Sequence, residues 1–198
     1  MTTYEIGHLL RAGITGFVAG CQVSQFSVPS FGSLVSVMPG GSEQYKIYGL
    51  IYDIHIDDDG LIRQLVTTES ISREVIKDNR ERRVVPVEMS VLAVGYEQDG
   101  KVHHLLPPRP PLSLDVIYLC DDTDLVRFTS AGRFGYFRHI LRAQEIPIGE
   151  VLAAHMLQAS KAHKDSAWRE NAIQELITLL RDDYPTLMSA LGALADIS

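Results

Sequence analysis

Apolar and polar residues alternate along much of the first two-thirds of the chain, a spacing that predicts β-strands. Between Ile47 and Ile56, every second side chain from Tyr48 onward is apolar, while the opposite face becomes polar toward the end of the run. The Asp-Asp-Asp-Gly sequence at 57–60 predicts a hairpin turn, because Asp and Gly tolerate positive φ angles. Residues 61–68 are therefore expected to return as the partner strand.

A second hairpin is predicted between Val84 and Leu106. Its first strand, Val84–Tyr96, is rich in valine on one face, Asp99-Gly100 supplies the turn, and Lys101–Leu106 returns. Shorter apolar segments predict three further strands, at Ile14–Ala19, Leu34–Met38 and Val116–Cys120. Several short strands separated by turn residues favour a closed antiparallel barrel, which also leaves no exposed strand edge to aggregate.

The last third of the chain changes to helical spacing. Apolar residues recur at intervals of three and four along four segments, 134–141, 151–159, 168–180 and 187–194. Ser166 is a suitable N-cap for the third of these helices, and Pro185 is expected to end it and to begin the last. These apolar stripes require burial against the barrel, against each other or against a partner.

The predicted fold class is therefore α+β. A small antiparallel β-barrel of about six strands is expected at 10–122, followed by a helical region of three to four helices at 123–198. The hydrophobic and charged fractions, 45% and 22%, are ordinary for a globular protein of this length.

Three glycine-containing runs resemble the HerA–ATP synthase barrel, or HAS-barrel: Gly16–Gly20, Phe31–Val37 and Ile47–Ile54. The segment Val94-Gly95-Tyr96, followed by the Asp99-Gly100 turn and a proline-rich connector, is similar to small stand-alone members of that family. The resemblance covers roughly residues 10–125. It implies a six-stranded barrel of the kind that forms a collar in ring proteins and helps to hold their subunits together.

In those ring proteins a P-loop domain after the barrel hydrolyses ATP. The sequence Gly-x-x-x-x-Gly-Lys-Ser/Thr, whose lysine and hydroxyl reach phosphates and magnesium, occurs nowhere in this chain. The helical region at 123–198 is also too short for such a domain. The resemblance therefore implies a stand-alone barrel without ATPase activity.

Charge, cysteine content and hydrophobicity indicate which partners and which cellular location to expect. The formal net charge is −7, which disfavours broad binding to nucleic acid unless the basic residues cluster. Cys21 and Cys120 show no metal-site spacing; two buried reduced thiols are favoured, and a disulfide between them stays open. No apolar run of 18 residues and no signal-like N-terminus occur, so no membrane partner and a cytoplasmic location are expected.

Candidate chemistry is sparse. Asp53, His55, Asp57 and Asp59 lie two apart and would share one face of a strand, which suggests a metal site; a polar face running into the hairpin turn is the favoured alternative. No serine elbow occurs, and His155 lies within an apolar stripe, which is typical of a hydrogen-bonded core histidine. No catalytic, metal-binding or cofactor-binding residue is predicted.

Two basic sets are candidates for an interaction surface. The first lies between the two hairpins and consists of Arg73, Lys77, Arg80, Arg82 and Arg83. Acidic residues are interleaved there and aromatic residues are not, so an exposed salt-bridged helix or an oligomer contact is favoured over nucleic-acid binding. The second set lies among aromatic residues, as arginines at the rim of an interface do: Arg127, Arg133, Arg138 and Arg142.

The expected function is a non-enzymatic assembly or protein-interaction module that self-associates as a homo-oligomer through the barrel and the helical tail. The alternative is an accessory factor that binds a ring-shaped nucleotide-driven motor, or nucleic acid, through the basic segment at 73–83. Salt-sensitive binding would distinguish the alternative, since phosphate contacts release counterions.

Overall fold

The computed structural model describes residues 4–24, 28–42, 44–56, 67, 72, 74 and 84–196. Within these residues the strands are β1 Tyr4–Ala12, β2 Gly16–Ser24, β3 Leu34–Val37, β4 Tyr45–Ile56, β5 Val84–Gln98, β6 Lys101–His103 and β7 Val116–Leu119. They form one antiparallel sheet in the order β2-β1-β7-β3-β4-β5-β6, and an additional pairing of β2 with β5 closes it. Six strands therefore make a closed barrel, as predicted, and β6 extends β5 as a short hairpin.

The strand bounds differ from the predicted ones in instructive places. β1 was not predicted, because bulges between Glu5 and Gly7 and between Leu9 and Arg11 interrupt its alternation. The return strand of the second hairpin ends at His103. Of the predicted strand at 61–68, only Thr67 is described, in helical conformation, and the turn at 57–60 lies outside the described residues.

The two longest strands, β4 and β5, pair with each other along nearly their whole length, from Tyr45 opposite Gln98 to Ile56 opposite Val87. Successive side chains of a strand point to opposite faces of the sheet. One face of each strand therefore fills the barrel lumen, where a buried apolar cluster is formed by Ile6, Leu9, Phe17, Ala19, Val35, Val37, Ile47, Ile51, Val87, Met89, Val91 and Ile117.

Five helices follow the barrel in the described residues: α1 Asp122–Ser130, α2 Phe137–Leu141, α3 Ile148–His163, α4 Ser166–Leu179 and α5 Tyr184–Asp196. Four of them are longer than two turns, in keeping with the predicted three to four. None of these described helices combines the length and the hydrophobicity that crossing a bilayer requires.

Capping explains where the helices begin. The Asp121 carboxylate accepts a hydrogen bond from the Asp124 amide at 2.8 Å and starts α1. Asp165 caps α4 in the same way, so the prediction of Ser166 as the cap was wrong by one residue. Pro185 lies in the first turn of α5, as predicted.

The helices pack on the chain's own barrel. The outward-facing Leu34, Tyr48, Leu50 and Val94 share one buried cluster with apolar residues of all five helices. α3 crosses close to the loop before β3: a Cβ atom on Gly32, whose φ is +78°, would lie 2.6 Å from the Cβ of Ala154. Of the three possible burial partners for the helical stripes, the barrel and the other helices are the ones observed.

Candidate functional site

The first basic set lies outside the described residues. This holds for all five of its members, Arg73, Lys77, Arg80, Arg82 and Arg83; of that neighbourhood only Ser72 and Glu74 are described, and both are exposed. An interaction surface at 73–83, and with it the alternative function, stays a prediction.

The predicted polar face of β4 is only partly described. Asp53 and His55 are exposed on the strand, opposite Ser90 and Glu88 of β5, while Asp57 and Asp59 lie outside the described residues. Within the described part of the chain, no three side chains of the metal-binding types converge.

The two cysteines are free thiols. Burial raises the pKa of both, and for Cys120 the nearby Asp124 carboxylate adds to the effect of burial. Both are therefore protonated at neutral pH. A thiolate nucleophile needs the opposite environment, in which positive charge or a helix N-terminus lowers the pKa.

His155 is the hydrogen-bonded core histidine that its position in the apolar stripe predicted. Its side chain is fully buried, and its Nε2 lies 3.1 Å from the Tyr136 hydroxyl. Burial lowers the pKa of His155 to about 4, an effect that the Gly32 backbone only partly opposes. The ring is neutral at physiological pH, and burial raises the pKa of the Tyr136 hydroxyl beside it, which makes that hydroxyl a poor nucleophile.

His104 joins the end of the β5–β6 hairpin to the helices. Its Nε2 lies 3.0 Å from the Phe128 carbonyl, and its own carbonyl accepts hydrogen bonds from the Arg138 guanidinium and from His139 Nε2, the latter at 3.2 Å. These contacts hold α2 against the barrel. They also fix the position of the Arg138 side chain.

A concave surface lies between the β1–β2 turn and the link from α2 to α3. Its cavity has a volume of about 560 Å³ and is lined by Arg11 and Arg142, by the 12–18 and 143–146 segments, and by Tyr52 and Leu92 of the barrel wall. A smaller cavity of about 270 Å³ shares Thr15, Leu92, Arg142 and Ala143 with it and adds Arg138 and His139. Together the two cavities form the arginine groove.

The arginine groove is positively charged in an acidic chain. Neither cavity has an Asp or Glu among its lining residues. Burial, together with the charges of Arg138 and Arg142, lowers the pKa of His139. In the described structure the guanidinium groups of Arg11 and Arg142 lack a hydrogen-bond or ion-pair partner, whereas Lys46 and Arg127 on the barrel–helix side are paired with Asp124 and Glu97.

Two β-bulges position residues of this groove. The register of β1 shifts between Leu9 and Arg11, and the register of β4 shifts between Ile51 and Asp53, around Tyr52. A bulge re-aims the side chains beside it and is common next to functional sites. Sequence reasoning named Arg138 and Arg142 as rim residues but missed Arg11 and Tyr52, because a bulge is recognised only when the register with the partner strand is known.

Large apolar side chains are also exposed in two places. The barrel apolar surface consists of Leu10, Ile14, Leu112 and Leu114, on β1, on the turn after it and on the turn before β7. The helical apolar surface consists of Ile177, Leu179, Tyr184 and Met188, where α4 ends and α5 begins.

The turn before β7 holds its leucines in a defined position. The Leu114 amide donates to the Leu9 carbonyl at 2.8 Å, and the Leu112 amide donates to the Asp115 carboxylate at 2.7 Å. Leu114 is 75% exposed with a φ of 69°, in the left-handed region that leucine disfavours.

No family model matches the chain, and a search of the curated proteins returns no significant match, so no relative indicates which of these surfaces is functional.

Proposed function

We propose that this protein is a non-enzymatic assembly module that self-associates through the barrel apolar surface and the helical apolar surface. The observation that carries the proposal is the presence of two sets of exposed large apolar side chains on a chain whose own lumen and barrel–helix cores are filled. Grouped apolar residues that stay exposed after folding are typical of protein interfaces.

The barrel surface supports the proposal more strongly than exposure alone would. Single exposed leucines are common and need no explanation. Leu114, however, is held outward in a left-handed backbone conformation, which costs about 1 kcal/mol for a residue with a Cβ atom. Backbone strain of this kind clusters at functional sites.

The resemblance to the HAS-barrel points the same way. The closed six-stranded antiparallel barrel is the architecture that the resemblance implies, and in that family the barrel works as a collar between subunits. Membership in the family is part of this proposal, and it rests on the glycine-containing runs at 16–20, 31–37 and 47–54. A second copy of this chain is the proposed partner.

Size-exclusion chromatography with light scattering tests the proposal. The wild-type protein is expected to be oligomeric at micromolar concentration, and the double variant Leu112→Lys/Leu114→Lys is expected to weaken the assembly by about tenfold or more, since buried apolar area drives association. Met188→Lys probes the helical surface in the same way. Leu105→Lys, an exposed leucine outside both surfaces, is the matched control and is expected to leave the mass unchanged.

Two results would contradict the proposal. One is a monomeric wild-type protein up to about 100 μM, a concentration at which an interface of ordinary size is occupied. The other is an oligomer whose mass is the same in the wild-type protein and in both sets of lysine variants.

A further inference from the structure

We propose that the arginine groove binds a mononucleotide, with its phosphate between Arg11 and Arg142 and its base on the apolar floor beside Tyr52. None of the eight residues of the surfaces proposed for self-association lines either cavity, although Leu10 and Ile14 are sequence neighbours of the lining residues Arg11, Gly13 and Thr15. The variants that test binding at the groove change no residue of those surfaces, so the two proposals can fail separately.

The shape and lining of the groove suit a small organic ligand. A volume of about 560 Å³ falls within the range of small-molecule sites, which combine an apolar floor with a few well-placed polar groups. Here the floor comes from the outer face of the barrel, with Gly16 and Val18 of β2, Tyr52 of β4 and Leu92 of β5, and Ile146 closes one side.

The charges identify the ligand as an anion. Arg11 comes from the barrel and Arg142 from the end of α2, so two separate parts of the chain each contribute an arginine to the lining of one cavity. Both side chains are exposed and lack a partner in the described residues, and their planar donors match the oxygen atoms of a phosphate. Asp53 and Glu145, the acids nearest in sequence to the lining residues, are exposed and line neither cavity.

The smaller cavity adds donors on the same side. Arg138 and His139 line it next to Arg142, and both donate to the His104 carbonyl, which holds them in place. The arginine groove therefore combines three arginines with apolar residues of the barrel wall in its lining. A phosphate joined to a flat apolar group fits this combination.

A single nucleotide is favoured over a nucleic-acid strand by the number of stacking platforms. Proteins that bind single strands offer successive aromatic faces, one for each base. Tyr52 is half-buried and is the only aromatic side chain on the floor other than Phe17, which is buried and belongs to the lumen cluster. One platform beside one phosphate-binding end accommodates one nucleotide.

Isothermal titration calorimetry on the full chain with AMP, GMP, CMP and UMP tests the inference. At least one is expected to bind with one-to-one stoichiometry and a Kd between about 10 μM and 1 mM. Arg11→Gln and Arg142→Gln are each expected to weaken binding by about tenfold, because each removes a charge-assisted contact. Arg133→Gln changes an exposed arginine outside both cavities and is expected to leave the Kd unchanged.

A second variant separates the base from the phosphate. Tyr52→Leu keeps an apolar residue on the floor but removes the aromatic face, so nucleotide binding is expected to weaken about fivefold or more while binding of inorganic phosphate is unchanged. Thermal melting checks that each variant is folded; the two arginine substitutions are expected to leave the Tm unchanged, since both guanidinium groups are exposed and unpaired in the described structure.

Three outcomes would overturn the inference. The first is the absence of binding by all four nucleotides at about 5 mM, well above the expected Kd. The second is inorganic phosphate binding as tightly as the best nucleotide, which would leave only an anion site. The third is a short single-stranded oligonucleotide binding about tenfold more tightly than any mononucleotide, which would make the groove part of a nucleic-acid surface.

Discussion

The protein has two apolar cores, and they are built from different chemistry. The lumen of the barrel is filled by aliphatic side chains together with Phe17 and Met89. The core between the barrel and the helices is rich in aromatic rings and contains hydrogen-bonded polar groups, among them the Tyr48 hydroxyl on Glu97 and the Tyr136 hydroxyl beside His155.

The difference follows from what each core has to specify. A closed barrel already determines where its strands lie, so the lumen needs only side chains of the right volume. Helices docked on a smooth outer wall could slide or rotate, and directional hydrogen bonds select one arrangement. The buried histidines of the described structure, His104 and His155, both lie in the second core, so it is the core that should respond to mild acid.

Truncation in the lumen should give the largest effect. Ile51 is fully buried, and Ile51→Ala removes methyl groups from a space that the closed strands cannot collapse to fill, so we expect the free energy of unfolding to fall by about 2–5 kcal/mol. Ile56→Ala on the same strand removes the same atoms from a side chain that is 43% exposed and should cost less than about 1 kcal/mol. Urea denaturation followed by circular dichroism measures both, and equal costs would show that the lumen is not close-packed.

Acid should weaken the packing of the barrel–helix core and leave the packing of the lumen unaffected. The pKa of His155 is about 4 in the folded protein and 6.5 in the unfolded chain, so the unfolded chain binds the proton first as the pH falls. This contribution to stability is complete above about pH 6.5 and is lost between that pH and about 4, on the order of 3 kcal/mol in all. The pKa values of His104, His139 and His163 are lowered too, which adds in the same direction.

Urea denaturation at about pH 7.5 and about pH 5 measures this loss. His155→Gln removes the titrating ring, so the fall in unfolding free energy between the two pH values should be smaller in that variant than in the wild-type protein. His8→Gln, at an exposed position of β1, serves as the control, and its unfolding free energy should fall as much between the two pH values as that of the wild-type protein. If the unfolding free energy of His155→Gln fell as much between the two pH values as that of the wild-type protein, a group other than His155 would be the source of the acid sensitivity.

The hydrogen bond between Tyr48 and Glu97 should give the smallest of the three effects. The Tyr48 hydroxyl donates to Glu97 Oε2 at 2.9 Å, and the Arg127 guanidinium donates to Oε1. Tyr48→Phe leaves the buried carboxylate with Arg127 only, so we expect a loss of about 2 kcal/mol in unfolding free energy. Tyr118→Phe, at a half-buried tyrosine of β7 whose hydroxyl has no partner in the described residues, should cost under about 0.5 kcal/mol in the same urea titration.

Much of the fold could be predicted from local pattern, and little of the candidate site could. Alternation identified β4 and β5, and helical spacing identified the stripes of α3, α4 and α5, because each pattern reports which face of an element is buried. α1 was missed, since the predicted stripes begin only at Phe134. The arginine groove was missed as a whole: Arg11 and Arg142 are far apart in the chain, and no local spacing relates them.

The sequence by itself determined the fold class of the protein. It indicated which segments form strands and which form helices, and that a barrel precedes a helical tail without a P-loop. Tertiary structure decided which strands are neighbours, because alternation predicts the buried face of a strand but not its partner. The pairing of β2 with β5 is what closes the sheet. Tertiary structure also decided which residues line the arginine groove. One bulge lies next to Arg11 and the other contains Tyr52, and a bulge exists only relative to a partner strand. Local preferences act over a few residues, whereas a binding surface depends on which distant segments pack together.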